Sequence, residues 1–370
     1  MHTRRSVLLV MLAGCLAAAS TTWTHAEQNP SQEDYKELLG QALDEVGRRI
    51  PETARRRTEF GLNLFLAHEA WIGTVPQEAL LGAIDAFQEA GVDRVDLNPG
   101  QFPWLDGDQA TIAKYDAAVQ RIRQHGLKLG LNPQYSTVRH QAGSFAQWRQ
   151  RAVTLYAELA RRYRPDTFVV VHEPSTMSAR LGVEVKAADW VDFVRETARA
   201  VKESSPGTRI GAGGLASERE YFEAFVRLPE VEVLTLDIYG VQDLKVYNRM
   251  IRAARAAGKP VYIEETWRPP FFQPQPGMTP DSASLKNVGN REFQELDSQW
   301  LRVMTAYAQA NGLEAVTPIW MFAMFSYVQG NGDLDDPAYN RAVVEAIARG
   351  ERTATFRTVQ ELVRENRQLP

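Results

Sequence analysis

The sequence predicts a single closed (β/α)8 barrel. Eight short apolar runs recur along the chain, amphipathic helical patterns separate them, and no glycine-rich phosphate turn follows the first. The runs lie at 60–67, 94–97, 127–132, 167–172, 209–214, 233–240, 260–265 and 317–324. Runs rich in Val, Ile, Leu and Phe read as strands buried on both faces. Parallel strands need crossover connections, and the helical patterns supply them. In "VPQEALLGAIDAFQEAG", Leu80, Ala83, Ile84 and Phe87 share a face, with Pro76 in the first turn and Gly91 as the stop. "QATIAKYDAAVQRIRQHG" repeats the pattern through Ile112, Tyr115, Val119 and Ile122, and "ADWVDFVRETARAVKESSPG" through Trp190, Phe193, Val194, Thr197 and Val201. A doubly wound open sheet is the alternative, but it usually opens on a glycine fingerprint that "HEAWIGTV" lacks. "GAGG" at 211–214 reads as small residues easing strand packing.

The 370 residues are 44% hydrophobic and 24% charged, with net charge −4 and both signs mixed. That balance is ordinary for a globular protein and offers no basic stripe for nucleic acid, so a neutral or small partner is expected. Residues 1–26 read as an export signal. Arg4 and Arg5 precede an apolar run at 6–19, shorter than the roughly 20 residues of a spanning helix. "LAGC" has the form of a lipoprotein cleavage box with Cys15, the only cysteine, at the acylation position; "TRRSVLL" has the form of a twin-arginine signal; a plain secretory leader is the third route. An extracytoplasmic location is expected on any of them. Residues 27–58 form an N-terminal helical segment, 59–350 the barrel and 351–370 a C-terminal helical tail. Within the first, Tyr35, Leu38, Leu39, Ala42 and Val46 share one helical face.

In such barrels, catalytic side chains sit where strands end and loops begin. "FVVVHEPSTM" places Glu173 at the end of the fourth run, and "PVYIEETW" places Glu264 and Glu265 at the end of the seventh. A carboxylate at the mouth of an apolar strand is costly unless something uses it. Two of them facing across a barrel mouth suit glycosidic bond cleavage, one as acid/base and one as nucleophile. Side chains alternate along a strand, so one of Glu264 and Glu265 is expected to face the cavity and the other to point behind the strand, toward an arginine. The same alternation turns His172 away from Glu173.

These motifs resemble those of the large clan of retaining glycoside hydrolases with catalytic glutamates on strands four and seven of a (β/α)8 barrel. "VVVHEP" is similar to the clan's fourth-strand Asn-Glu-Pro, with His172 in place of asparagine. "PVYIEETW" is similar to its Pro-Val-x-Ile-x-Glu, which puts the nucleophile at Glu265. Thr266 and Trp267 resemble the Glu-Thr-aromatic sequence of the β-galactanase and β-1,3-glucanase branches. The resemblance implies a two-glutamate cleavage of oligo- or polysaccharides without cofactor or metal. It also implies that Tyr239 bonds the nucleophile, that Trp320 underlies the bound sugar, and that His172 takes over the asparagine's hydrogen bond.

Other residues are read from their positions. Asn98, Asn132 and Gln134 at the ends of the second and third strands, with His68 and Glu69 after the first, are placed to bind sugar hydroxyls. Trp267, Phe271 and Phe272 open a long proline-rich loop at 266–290, either as stacking platforms or as pins holding the loop to the rim. Two other classes stay open. His172 in the asparagine's place is compatible with an inactive carbohydrate-binding or envelope barrel. Glu173, Asp237 and Glu265 with His68 or His172 are compatible with a metal-dependent sugar isomerase, although no diagnostic ligand spacing is present.

Overall fold

The eight apolar runs close on themselves. β1 (Glu59–Asn63), β2 (Arg94–Leu97), β3 (Lys128–Leu131), β4 (Thr167–Val171), β5 (Arg209–Gly214), β6 (Val233–Ile238), β7 (Val261–Thr266) and β8 (Ala315–Pro318) pair in parallel, each with the next and β8 with β1. The structure is a computed structural model, and it describes residues 31–100, 102–133, 144–183, 185–271 and 285–370. The leader with Cys15, Gln134, Phe272 and the Glu69 side chain lie outside what is described.

Two runs are strand for only part of their length. After β1, Phe65–Ala67 winds into a 3-10 turn, and after β8, Met321–Met324 does the same. Both stretches are buried. An unbroken apolar run cannot distinguish a buried strand from a buried turn by periodicity.

Helices wrap the barrel. α1 (Gln32–Arg49) starts at Ser31, whose side chain and Asp34 form a reciprocal capping box, and it buries Tyr35, Leu39 and Leu43. The crossovers are α2 (Gln77–Ala90), α3 (Gln109–Gln124), α4 (Phe145–Tyr163), α5 (Pro174–Leu181), α6 (Ala187–Ser204), α7 (Arg219–Val226), α8 (Leu244–Ala256) and α9 (Gln294–Ala310), followed by α10 (Pro337–Ala348) and α11 (Ala354–Asn366). α1 and α11 both pack on α9. Asn366 ties α11 to the entry of β1, accepting from the Thr58 N–H at 3.0 Å and donating to its carbonyl at 2.6 Å. Among the described residues no helix is long and apolar enough to cross a membrane.

Alternation gives each strand an outer and an inner face. Phe60, Leu62, Val95, Leu97, Phe168 and Ile210 join the apolar layer under the helices. Val233, Tyr262 and Ala315 form a separate small cluster, the floor of the lumen. Above it the lumen is polar. Arg94 pairs with Asp96 at 2.7 Å, and Thr317 donates to Asp96 at 3.0 Å. β2 and β8 flank β1, so this bond passes over Gly61, where a Cβ would stand 2.7 Å from both Arg94 and Thr317. Glycine is what allows the two strands to meet across a third.

Candidate active site

β4 and β7 each carry one residue more than their neighbours require. Val169 pairs with Gly211 and Val171 with the next residue, Ala212, leaving Val170 as a bulge. Val170 and Val171 both join the outer core, so His172 turns into the lumen. On β7, Leu236 pairs with Ile263 but Asp237 pairs with Glu265, leaving Glu264 as the extra residue. Ile263 lies in the outer core, and Thr266 accepts from the Trp300 indole N–H on the outside at 3.0 Å. Both glutamates between them therefore face inward. Strict alternation fails at both strands, and with it the expectation that Glu264 points behind β7; the alternation expected to turn His172 away from Glu173 does not hold across the β4 bulge, and His172 enters the lumen. Glu264 does meet an arginine, but inside the lumen, where Arg94 partly offsets the charge of Asp96 acting on it.

Glu173 follows the β4 bulge at φ 46°, ψ 69°. Pro174 occupies the first position of α5, where its fixed φ suits a helix start, and it disfavours right-handed helical backbone at Glu173. A left-handed non-glycine residue costs on the order of 1 kcal/mol and persists only where its surroundings hold it. Glu173 is the N-cap of α5 yet makes no side-chain capping bond, so its carboxyl group stays available to the cleft. The buried Glu218 carboxylate instead accepts from the Ser175 N–H at 2.6 Å.

Around Glu265 the polar groups converge. The Tyr239 hydroxyl donates to its Oε2. His172 stands between two acids, with Nε2 3.5 Å from Glu265 Oε1 and Nδ1 3.3 Å from Asp237 Oδ2. Burial pushes the Glu265 carboxyl up to about 7, against the pull of the Tyr239 hydroxyl and the Arg180 charge. Burial also raises Glu173, and the Glu265 charge raises it further, while His172, Arg180 and Thr176 act the other way. Asp237 is held well above the usual carboxylate range by burial and by the surrounding glutamates. Burial keeps His172 low, toward the neutral imidazole. Both carboxyl groups are thus held toward the protonated form, and a charge on Glu265 raises Glu173 further. One ligand atom each from His172, Asp237 and Glu265 lies within 4.8 Å of the others, close enough to hold a cation.

The remaining predicted residues divide. Tyr239 is at the site. Asn98 and Asn132 are buried at the ends of β2 and β3. Among the described residues neither Asn98 amide atom has a hydrogen-bond partner, and the Asn132 amide acts on the Glu264 carboxyl. His68 stacks on Phe65 at 4.7 Å and 7°, and Trp320 meets the same ring edge-on at 4.7 Å, forming an aromatic wall with Trp71 and Phe322. Trp267 is 1% exposed within the apolar core, so its face is not open to a sugar, which leaves the second of its two expected roles, a pin for the loop. Phe271 packs on Tyr35 and Phe293, pinning the loop to α1. Arg180 and Glu218 were not singled out from the sequence. Their influence on the glutamates depends on loop geometry, and no motif spacing announces it.

The sequence matches no protein-family model and no curated protein. Its fold is that of known glycoside hydrolase barrels. GH5_18 from Streptomyces cattleya, solved in complex with GlcNAc, superposes with TM-score 0.55 at 15% identity, over 85% of this chain and 81% of that one. A variant of that protein, bound to Manb1-4GlcNAc, gives TM-score 0.52 at 15% identity, over 84% and 81% of the two chains. The exo-β-1,4-mannosidase Op5Man5 from Opitutaceae bacterium strain TAV5 gives TM-score 0.57 at 13% identity, over 86% of this chain and 62% of that one.

Proposed function

We propose that this chain is an exported retaining glycoside hydrolase that cleaves β-linked glycans, with Glu265 as nucleophile and Glu173 as acid/base. One observation carries the reading. Two carboxyl groups end β4 and β7 at the same barrel mouth, Glu265 buried and Glu173 half-buried, and the one at β7 is hydrogen-bonded by a tyrosine. In the first step Glu265 attacks the anomeric carbon while Glu173 passes its proton to the departing glycosidic oxygen. In the second, Glu173 takes a proton from water, which displaces Glu265 from the anomeric carbon. Tyr239 holds Oε2 of the nucleophile, and His172 faces Oε1. The buried amides of Asn98 and Asn132 at the ends of β2 and β3 are donors and acceptors for sugar hydroxyls. The fold relatives bound to GlcNAc and Manb1-4GlcNAc, and the exo-mannosidase, make β-mannosides and β-N-acetylglucosaminides the first substrates to try. Export rests on the leader at 1–26.

The test is Glu173→Ala assayed with paired substrates. Loss of the acid should slow glycosides with poor leaving groups by about 10²–10⁴-fold while sparing the first step for activated aryl glycosides. Azide, which needs no general base, should then accelerate turnover. Equal slowing of both substrates with no azide effect would remove Glu173 from this role. Polysaccharide binding without turnover by the unmodified protein would favour the inactive binding barrel. A second reading rests on the His172, Asp237 and Glu265 cluster, which has the donor set of a cation site in a sugar isomerase. Activity unchanged by exhaustive chelation excludes it, and activity restored only by added Mn²⁺ or Mg²⁺ supports it.

A further inference from the structure

We infer that Glu218 is the positioning residue for Glu173, capping α5 from a different loop so that Glu173 keeps its own carboxyl group for chemistry. The inference rests on the reading of Glu173 as acid/base. A helix start leaves backbone N–H groups without intrahelical partners, and the N-cap side chain ordinarily satisfies one of them. At α5 the N-cap is Glu173, and it makes no such bond. Glu218, in the 3-10 turn Ala216–Glu218 after β5 and 3% exposed, does so in its place. Its Oε1 accepts from the Ser175 N–H at 2.6 Å and from the Ser175 hydroxyl, and its Oε2 accepts from the Leu215 N–H at 2.9 Å.

One carboxylate thus joins the end of β5 to the second residue of α5, two residues beyond Glu173. Gly214 makes room for it. At φ 154°, a Cβ there would stand 2.1 Å from Glu218 Oε2 and 3.2 Å from the Glu173 backbone nitrogen and Cα. The left-handed turn at Glu173 is therefore braced on one side by Pro174 and on the other by this carboxylate.

Glu218→Gln keeps the size but replaces one accepting oxygen by an amide that cannot accept, so one backbone N–H loses its partner. The expected result is selective. Activity toward glycosides with poor leaving groups falls about tenfold or more, activity toward 2,4-dinitrophenyl glycosides stays within about threefold, and the alkaline limb of the pH profile moves. Equal slowing of both substrates, or of neither, overturns the inference. A crystal structure of the same variant decides independently of turnover. Residue 173 should leave its left-handed conformation, and an unchanged Glu173 backbone would overturn the inference even with the acid/base reading intact. If Glu173→Ala itself shows no leaving-group dependence, the acid/base reading falls, and the backbone shift alone decides whether Glu218 positions residue 173. Should Glu218→Gln not fold, Ser175→Ala removes only the hydroxyl bond. The same selectivity at smaller amplitude then supports the inference, and uniform slowing contradicts it.

Discussion

Glu265 reaches the barrel mouth because β7 carries an extra residue, and once there it is buried with a tyrosine hydroxyl on one oxygen. A hydrogen bond to an ionised carboxylate favours the charged form, so Tyr239 holds Glu265 below the value burial alone would impose. In the proposed role of nucleophile Glu265 works ionised, so activity should be lost as pH falls through about 7, the acid limb of kcat/KM. Tyr239→Phe removes the donor. The acid limb should move to higher pH, and kcat/KM at the optimum should fall roughly ten- to a hundredfold, the worth of one hydrogen bond to a charge. A pH–rate profile checks both, and an unmoved acid limb would separate Tyr239 from the nucleophile. His172 adds a second contact. Burial holds its imidazole toward the neutral form, with Nε2 3.5 Å from Glu265 Oε1 and Nδ1 3.3 Å from Asp237 Oδ2.

At the scale of elements, the segment leaving β7 is anchored by a buried ion pair. Arg268, 2% exposed, meets Asp297 of α9, lies 4.4 Å over the Phe293 ring, and donates to the Asn287 carbonyl at 3.0 Å; Tyr35 of α1 donates to the Pro269 carbonyl. Removing one partner leaves the other charge buried without compensation. Arg268→Ala should lower the unfolding free energy by about 3–5 kcal/mol, read from urea denaturation. A loss below about 1 kcal/mol would show that Asp297 is satisfied by Tyr327 and its other neighbours. This anchoring also bears on Trp267. The sequence places it directly after Glu-Thr, where an aromatic reads as a sugar platform, but it lies beyond the last paired residue of β7, where alternation no longer sets its direction, and it is buried in the apolar core. The strands themselves were legible, because each run presents an apolar outer face and a helix follows. The bulges were not. Three consecutive valines at 169–171 and paired glutamates at 264–265 look the same with or without an extra residue, so nothing in the pattern marks the shift. Glu218 was hidden for another reason, since its partner Ser175 lies 43 residues away on another loop.

Across the whole molecule, the apolar outer layer carries the fold and the polar lumen carries the site. Arg94, Asp96, Asp237, Glu264 and Glu265 occupy positions that a stability-driven core would fill with aliphatic side chains. Glu218 and Glu265 are both pushed up to about 7 by burial, above a free glutamate near 4.3. Each binds its proton more tightly folded than unfolded. The stability this gives is full below about pH 4 and is lost as pH rises toward 7. The melting temperature should therefore fall between pH 5.5 and 8, corresponding to on the order of a few kcal/mol, and Glu218→Gln should flatten that slope. A melting temperature that rises over the interval would mean these carboxyl groups are ionised without penalty. On the proposed function, the polar lumen presents Glu265 as a nucleophile. The most direct measurement of that role is peptide mapping by mass spectrometry after treatment with 2-deoxy-2-fluoro-β-glycosides, which trap the glycosyl-enzyme. One sugar is expected on the peptide, localised to Glu265 and absent from Glu265→Gln; hydrolysis of β-glycosides with no adduct, or with the adduct on Glu264, would contradict that role.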